Sequence, residues 1–347
     1  VSSAIDKKVN ARIIMKDIAG SEVVNSKIDL EEQDDYLTGF ASTDIKNVNK
    51  WDNHSPYLYK TFIEITDEDG VLLEVVPYKV GFRRIEIIDK VMYLNGERLV
   101  IVGVNRHEWN SKTGRCINID DMISDMNCMK RNNINAVRTC HYPDQIPWYY
   151  MCDEAGVYVM AETNLESHGS WQKLGAVEPS CNVPGSLPQW REVVVDRARS
   201  NYETFKNHTS ILFWSLGNES YAGDDIEAMN KFFKDKNDGR LVHYEGSFHN
   251  RAYEDTISDI ESRMYAKPYE IEEYLSANPK KPYLLCEYMH DMGNSLGGLG
   301  SYMKLIDKYE MYQGGFIWDF IDQALLVKDE VTGREVLRYG GDFDDRP

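Results

Sequence analysis

Two glutamates, Glu219 in "FWSLGNES" and Glu287 in "LLCEYMHD", each end a run of apolar residues. Burial disfavours an ionised carboxylate, so a buried segment that ends on one has a use for its charge or its proton. Two such groups flanking one bond are what glycoside hydrolysis needs. At a separation of about 5 to 5.5 Å one attacks the anomeric carbon and the other shuttles the proton; a gap of about 6.5 Å or more holds a water and gives inversion. Upstream, Glu166 and His168 form an E-x-H pair. One imidazole among carboxylate oxygens suits Mg2+ or Mn2+ better than a zinc held by Cys and His.

These residues need a frame that points them at one place. After Phe82, apolar segments at 98–105, 134–140, 156–162, 211–217, 240–246, 281–287 and 314–320 alternate with helical stretches. In 119–133 the apolar residues Met122, Ile123, Met126 and Met129 recur at helical spacing, and 224–237 repeats the pattern. Continuous apolar strands separated by helices imply a parallel sheet covered on both faces. With an eighth strand near 255–265, the expected fold is α/β, a (β/α)8 TIM barrel, in which chemistry gathers where strands end. Residues 1 to 83 read instead as short strands and turns, with a hairpin at "ITDEDGVLLE", and predict a small all-β sandwich.

The strand ends carry Asn105, Arg106, His107 and Glu108; Arg138, His141 and Tyr142; Glu162, Asn164, Glu166 and His168; Asn218 and Glu219; Tyr265; Glu287 and His290; and Trp318 and Asp319. Singly, each has a structural reading. Arg106 or Arg138 could pair with a barrel carboxylate, a lone His107 or His141 is more often a hydrogen-bonded structural group, and Trp318 could simply pack. Together they place groups that are costly to bury at seven of eight strand ends.

Composition narrows the classes. With 39 basic and 57 acidic side chains, the net charge of -18 repels nucleic acid and anionic membranes. No run of 18 apolar residues is present. The 22 Tyr and 7 Trp supply flat amphipathic surface for a polar organic ligand. Cysteines at 116, 128, 140, 152, 181 and 286 form no C-x-x-C pair, so reduced thiols and a cytoplasmic location are expected. The start at Val1, without Met, suggests a piece of a longer polypeptide. "GNSLGGLG" lacks the strand-to-helix setting of a nucleotide loop, Ser215 and Ser220 lack a G-x-S-x-G elbow, and glycosylation at the Asn218 sequon would plug the proposed site.

The motifs "GVNRHEW", "NAVRTCHYP", "ETNLESHGS", "FWSLGNES", "LLCEYMHDMGNSLGG", "GGFIWDFIDQ" and "YGGDF" resemble, in this order, the catalytic barrel of bacterial β-galactosidases of glycoside hydrolase family 2. The resemblance implies an immunoglobulin-like sandwich at 1–83, lacking its first strand, and a catalytic barrel at 84–347 that stops short of its end. It places the acid/base on Glu219 and the nucleophile on Glu287. It further implies a Mg2+ site of Glu166, His168 and Glu219, support of the nucleophile by Arg138 and Tyr265, and a sugar pocket lined by His107, His141, Asn218, Tyr265, His290 and Trp318. The implied reaction is retaining hydrolysis of terminal β-D-galactosides such as lactose.

The chain also departs from the family pattern. The amino-terminal jelly-roll domain is absent, most Na+ ligands fall outside the chain, and the flanking domains that complete the pocket are missing. Little or no activity is therefore expected of this segment alone, and the resemblance leaves a homo-oligomer open for the full-length protein. The alternatives are a family 2 β-glucuronidase or β-mannosidase, which would share both glutamates, or a non-catalytic carbohydrate-binding barrel.

Overall fold

The computed structural model of this chain describes residues 8–33, 36–171, 182–292 and 295–343, so Cys181, Gly293 and Asn294 lie outside the described residues. The chain divides into two compact units, Val1–Arg83 and Arg84–Pro347. In the first, strands Val9–Lys16, Glu22–Gln33, Tyr36–Phe40, Tyr59–Asp67 and Leu72–Val80 form one antiparallel sheet. Alternation puts Met15, Val24 and Tyr59 on its buried face. The expected hairpin joins the last two strands, and Gly70 takes a positive φ of 83° in its turn.

The second unit holds the expected barrel. Its parallel strands are β1 (Ile101–Arg106), β2 (Ala136–Thr139), β3 (Tyr158–Glu162), β4 (Ile211–Ser215), β5 (Leu241–His243), β6 (Glu261–Met264), β7 (Tyr283–Tyr288) and β8 (Tyr312–Phe320). The sheet runs unbroken from β5 back through β1 to β8, β7 and β6. Between β5 and β6 no strand ladder forms among the described residues; other bonds span the seam instead. The Val242 N–H donates to Asp259 Oδ2 at 2.7 Å, the Asp259 N–H donates to the Val242 carbonyl at 2.8 Å, and His243 Nε2 meets Ser262 Oγ at 2.8 Å.

Helices fill six of the seven crossovers: α1 (Ile119–Arg131), α2 (Ile146–Ala155), α3 (Pro188–Phe205), α4 (Asp224–Lys236), α5 (Pro268–Ser276) and α6 (Leu299–Lys308); between β5 and β6 the chain makes the short 3-10 turns Gly246–Phe248 and Arg251–Tyr253. Asn118 caps α1 in a capping box with Asp121, and Met122, Met126 and Met129 are its buried stripe. Ile123, grouped with that stripe by spacing, is exposed. Arg106 has the structural role: fully buried, it pairs with Asp125 and Asp144 at 2.9 and 2.7 Å and lies 3.8 Å above the Trp148 ring. It ties β1 to α1, to the loop between β2 and α2, and to α2, and leaves the mouth to other groups.

Close approach of β8 to β1 requires glycine. Gly314 has φ +90°, and a Cβ there would lie 1.9 Å from the Ile101 carbonyl oxygen. Gly314→Ala is therefore expected to destabilise the barrel by about 2–4 kcal/mol, whereas Gly341→Ala, with open space around it, should stay within about 0.5 kcal/mol. Denaturant midpoints of the two variants check this.

Candidate active site

The C-terminal ends of the strands meet around Arg138 at the end of β2. Its guanidinium is fully buried and has four oxygen partners: Glu162 Oε2 at 2.6 Å, Glu287 Oε1 at 2.8 Å, and Asn105 Oδ1 and Asn218 Oδ1 at 2.9 Å. One rigid fork thus joins the ends of β1, β3, β4 and β7. Burial opposes its charge, but Glu162, Cys286 and Glu287 outweigh it and hold Arg138 well above its ordinary value. In return Arg138, with His141 and Ser215, overcomes the burial of Glu162 and keeps that carboxyl below its ordinary value.

Glu287 is 4% exposed and held from both sides. Arg138 donates to Oε1, and the Tyr265 hydroxyl donates to Oε2 at 2.7 Å. Burial and then Glu287 raise the Tyr265 phenol far above its ordinary value, so it stays a proton donor. Tyr265 reaches this position from a left-handed backbone, φ +53°. Two donors fix one rotamer of Glu287.

Glu219 lies in a contrasting environment. Burial first, then the charges of Glu287 and Glu166, push its carboxyl up to about 7. The two carboxyls thus sit in different surroundings, Glu287 held by two hydrogen-bond donors and Glu219 with its proton affinity raised. The turn carrying Glu219 is built closely: Gly217 has φ +142°, and a Cβ there would meet the Leu165 carbonyl at 2.7 Å. Asn218 donates its N–H to that same carbonyl at 2.8 Å, and its backbone bridges Glu166. His168 Nδ1 lies 2.5 Å from Glu219 Oε2. His168 thus contacts Glu219, and Glu166 lies near enough for its charge to act on that carboxyl; among the described residues the group of three whose ligand atoms all lie within 4.8 Å of one another is His243, Glu245 and Cys286.

The remaining residues form an aromatic wall. His141 stacks on Trp318 at 5.3 Å and 6°, and His107 meets the Trp318 ring edge-on at 5.5 Å. His141 Nδ1 lies 2.7 Å from Glu162 Oε1, which orients the ring. Burial, with His141 and two arginines nearby, pushes His107 down to about 3, so it offers hydrogen bonds and no charge at neutral pH. His290 is more exposed and reaches the group through an edge contact of 5.7 Å with Tyr265.

Two buried carboxyls belong here although the sequence reading gave them no role. Glu162 orients Arg138 and His141 at once. Glu245 follows β5, where no cargo was noted; its Oε1 accepts the Glu219 N–H at 2.7 Å, and burial pushes it up to about 8. The signal was visible: "RLVHYEG" ends an apolar strand on a carboxylate just as "FWSLGNES" does.

Residues 85–347 match the model of the glycosyl hydrolases family 2 TIM barrel domain, and residues 2–83 match that of glycosyl hydrolases family 2. The chain belongs to glycosyl hydrolase family 2. Among curated relatives it is 62% identical over 338 residues to a β-galactosidase large subunit of Lactobacillus acidophilus, covering 97% of this chain and 53% of that protein. It is 67% identical over 297 residues to that of Leuconostoc lactis, covering 85% and 47%. The chain thus spans about half the length of these relatives. A solved β-glucuronidase of Ruminococcus gnavus, in complex with D-glucuronic acid, shares the fold with a TM-score of 0.69 at 20% identity, covering 94% of this chain and 58% of that one. Among the described residues no helix is long and apolar enough to cross a membrane, and Cys116, Cys128, Cys140, Cys152 and Cys286 are free.

Proposed function

We propose that the full-length protein containing this chain is a retaining β-galactosidase that removes terminal non-reducing β-D-galactosyl residues from substrates such as lactose. The observation that carries the reaction class is Glu287, held between Arg138 and Tyr265 and sharing a mouth with Glu219, whose proton affinity is raised. The substrate assignment rests on relatives named β-galactosidase at 62 and 67% identity. The name "large subunit" of those relatives supports a reading in which further polypeptide completes the working enzyme.

In this reading Glu287 attacks the anomeric carbon while Glu219, protonated near neutral pH, donates its proton to the departing oxygen. Glu219 then takes a proton from water as that water displaces Glu287 from the sugar. Arg138 and Tyr265 hold Glu287 aimed at the anomeric carbon. Neutral His107, with His141, Asn218 and His290, offers hydrogen bonds to hydroxyls over the Trp318 face, where bonds that tighten as charge develops lower the barrier. Glu166, His168 and Glu219 would hold Mg2+. Bound there, the ion would supply a positive charge beside the acid and tune its proton affinity.

Glu219→Gln in the full-length protein should lower kcat/KM for lactose by about 100- to 10,000-fold and that for a dinitrophenyl galactoside far less, because that leaving group departs without a proton. Equal losses on both substrates would remove Glu219 from the acid role. A panel of nitrophenyl glycosides tests the substrate class: preference for the galactoside is expected, and preference for the glucuronide or mannoside would replace it.

A further inference from the structure

The turn that aims Glu219 is gripped from β5 by two consecutive residues. Glu245, 4% exposed, accepts the Glu219 N–H at 2.7 Å. Tyr244, fully buried, accepts the Ser220 N–H at 3.1 Å and donates its hydroxyl to the Ser220 carbonyl. Glu219 itself has φ +40°, a conformation costly for a residue with a side chain and maintained only where surroundings enforce it. The bond to Glu245 satisfies the peptide N–H in that conformation.

Glu245 Oε2 is buried and has no hydrogen-bond partner among the described residues. A Glu245 oxygen lies within 4.8 Å of a ring nitrogen of His243 and of Cys286 Sγ, a spacing seen in metal sites. Both ring nitrogens of His243 are, however, bonded to the Ser215 and Ser262 hydroxyls at 3.0 and 2.8 Å. The cluster therefore has no imidazole nitrogen to spare for a cation, and the hydrogen bond that Glu245 makes toward the mouth is to the backbone of Glu219.

We propose that Glu245 is a positioning residue for proton transfer: by accepting the Glu219 N–H it fixes the left-handed turn that aims the Glu219 carboxyl at the leaving oxygen. This rests on the acid role proposed for Glu219. Glu245→Gln keeps an acceptor oxygen of the same reach, whereas Glu245→Leu removes it and leaves the N–H unpaired.

In the full-length protein, Glu245→Leu should lower kcat/KM for lactose by about 100-fold with a much smaller loss on a dinitrophenyl galactoside, and Glu245→Gln should restore most of the lactose activity. Equal losses of the leucine variant on both substrates, or a glutamine variant as impaired as the leucine one, would overturn the proposal. Crystal structures of both variants give a readout independent of turnover. The Glu219 φ should stay positive with glutamine and leave the left-handed region with leucine. An unchanged turn in the leucine variant would sink the positioning role while leaving the proposed hydrolysis untouched; failure of the unmodified protein on galactosides would fall on the proposed function, with the structural arm still deciding this one.

Discussion

Glu287→Gln in the full-length protein should lower kcat on galactosides by about 100,000-fold, the order supplied by an oriented intramolecular nucleophile. The amide is nearly the same shape, and its oxygen can still accept from Arg138, so the fold should survive. What disappears is the negative charge that attacks. Unlike the Glu219 variant, this one should be equally impaired on lactose and on dinitrophenyl galactoside, because both must first form the bond to residue 287. Removing the side chain with Glu287→Gly and adding azide should restore turnover and give the α-galactosyl azide, since the small anion attacks from the vacated face. Steady-state kinetics and the anomeric configuration of the product check both statements, and a β-configured azide would contradict them.

Arg138→Met should produce the largest loss of stability. The substitution leaves Glu162, fully buried, and Glu287 without their shared cation. Removing one partner of a buried ion pair costs about 3–5 kcal/mol because the remaining charge is stranded, which for a domain of this size lowers Tm by roughly 10 °C. The pH dependence follows from Glu162. Its folded-state value is held below the ordinary 4.5 chiefly by Arg138, against the opposing effect of burial. The stability this brings is present above about 4.5 and is lost as pH falls through the lower folded value. In the variant the stranded carboxyl is relieved by taking up a proton. The Tm gap between native and variant protein should therefore be widest near neutral pH and narrow below about 4.5. A gap that is constant with pH would show that lost packing, and not charge, accounts for the effect.

Much of the barrel was legible because its strands are buried on both faces and read as continuous apolar runs. Even the strand assigned on the weak segment 255–265 is present, as β6, Glu261–Met264. Most strands are shorter than the runs suggested, although β8 is longer, Tyr312–Phe320; "RLVHYEG" yields only Leu241–His243, because the chain leaves the sheet as soon as it begins to deliver polar groups. The open seam between β5 and β6 was not legible, since serine and aspartate side chains bridge it and periodicity does not report such bonds. Nor could spacing show that Arg138 touches both Asn218 and Glu287, 80 and 149 residues away; that pairing exists only once the sheet has curled. Arg106 and Arg138 look alike in sequence, each ending an apolar strand, yet one fastens a helix and the other fastens the chemistry. Their difference lies in which way the β1 and β2 side chains point, and so in the register of the barrel.

The most direct test of the central claim is covalent trapping. Full-length protein treated with a fluorinated galactoside that slows breakdown of the glycosyl-enzyme should gain one galactosyl unit by mass spectrometry, and peptide mapping should place it on Glu287. Absence of an adduct, or an adduct on Glu219 or any other residue, would contradict the account.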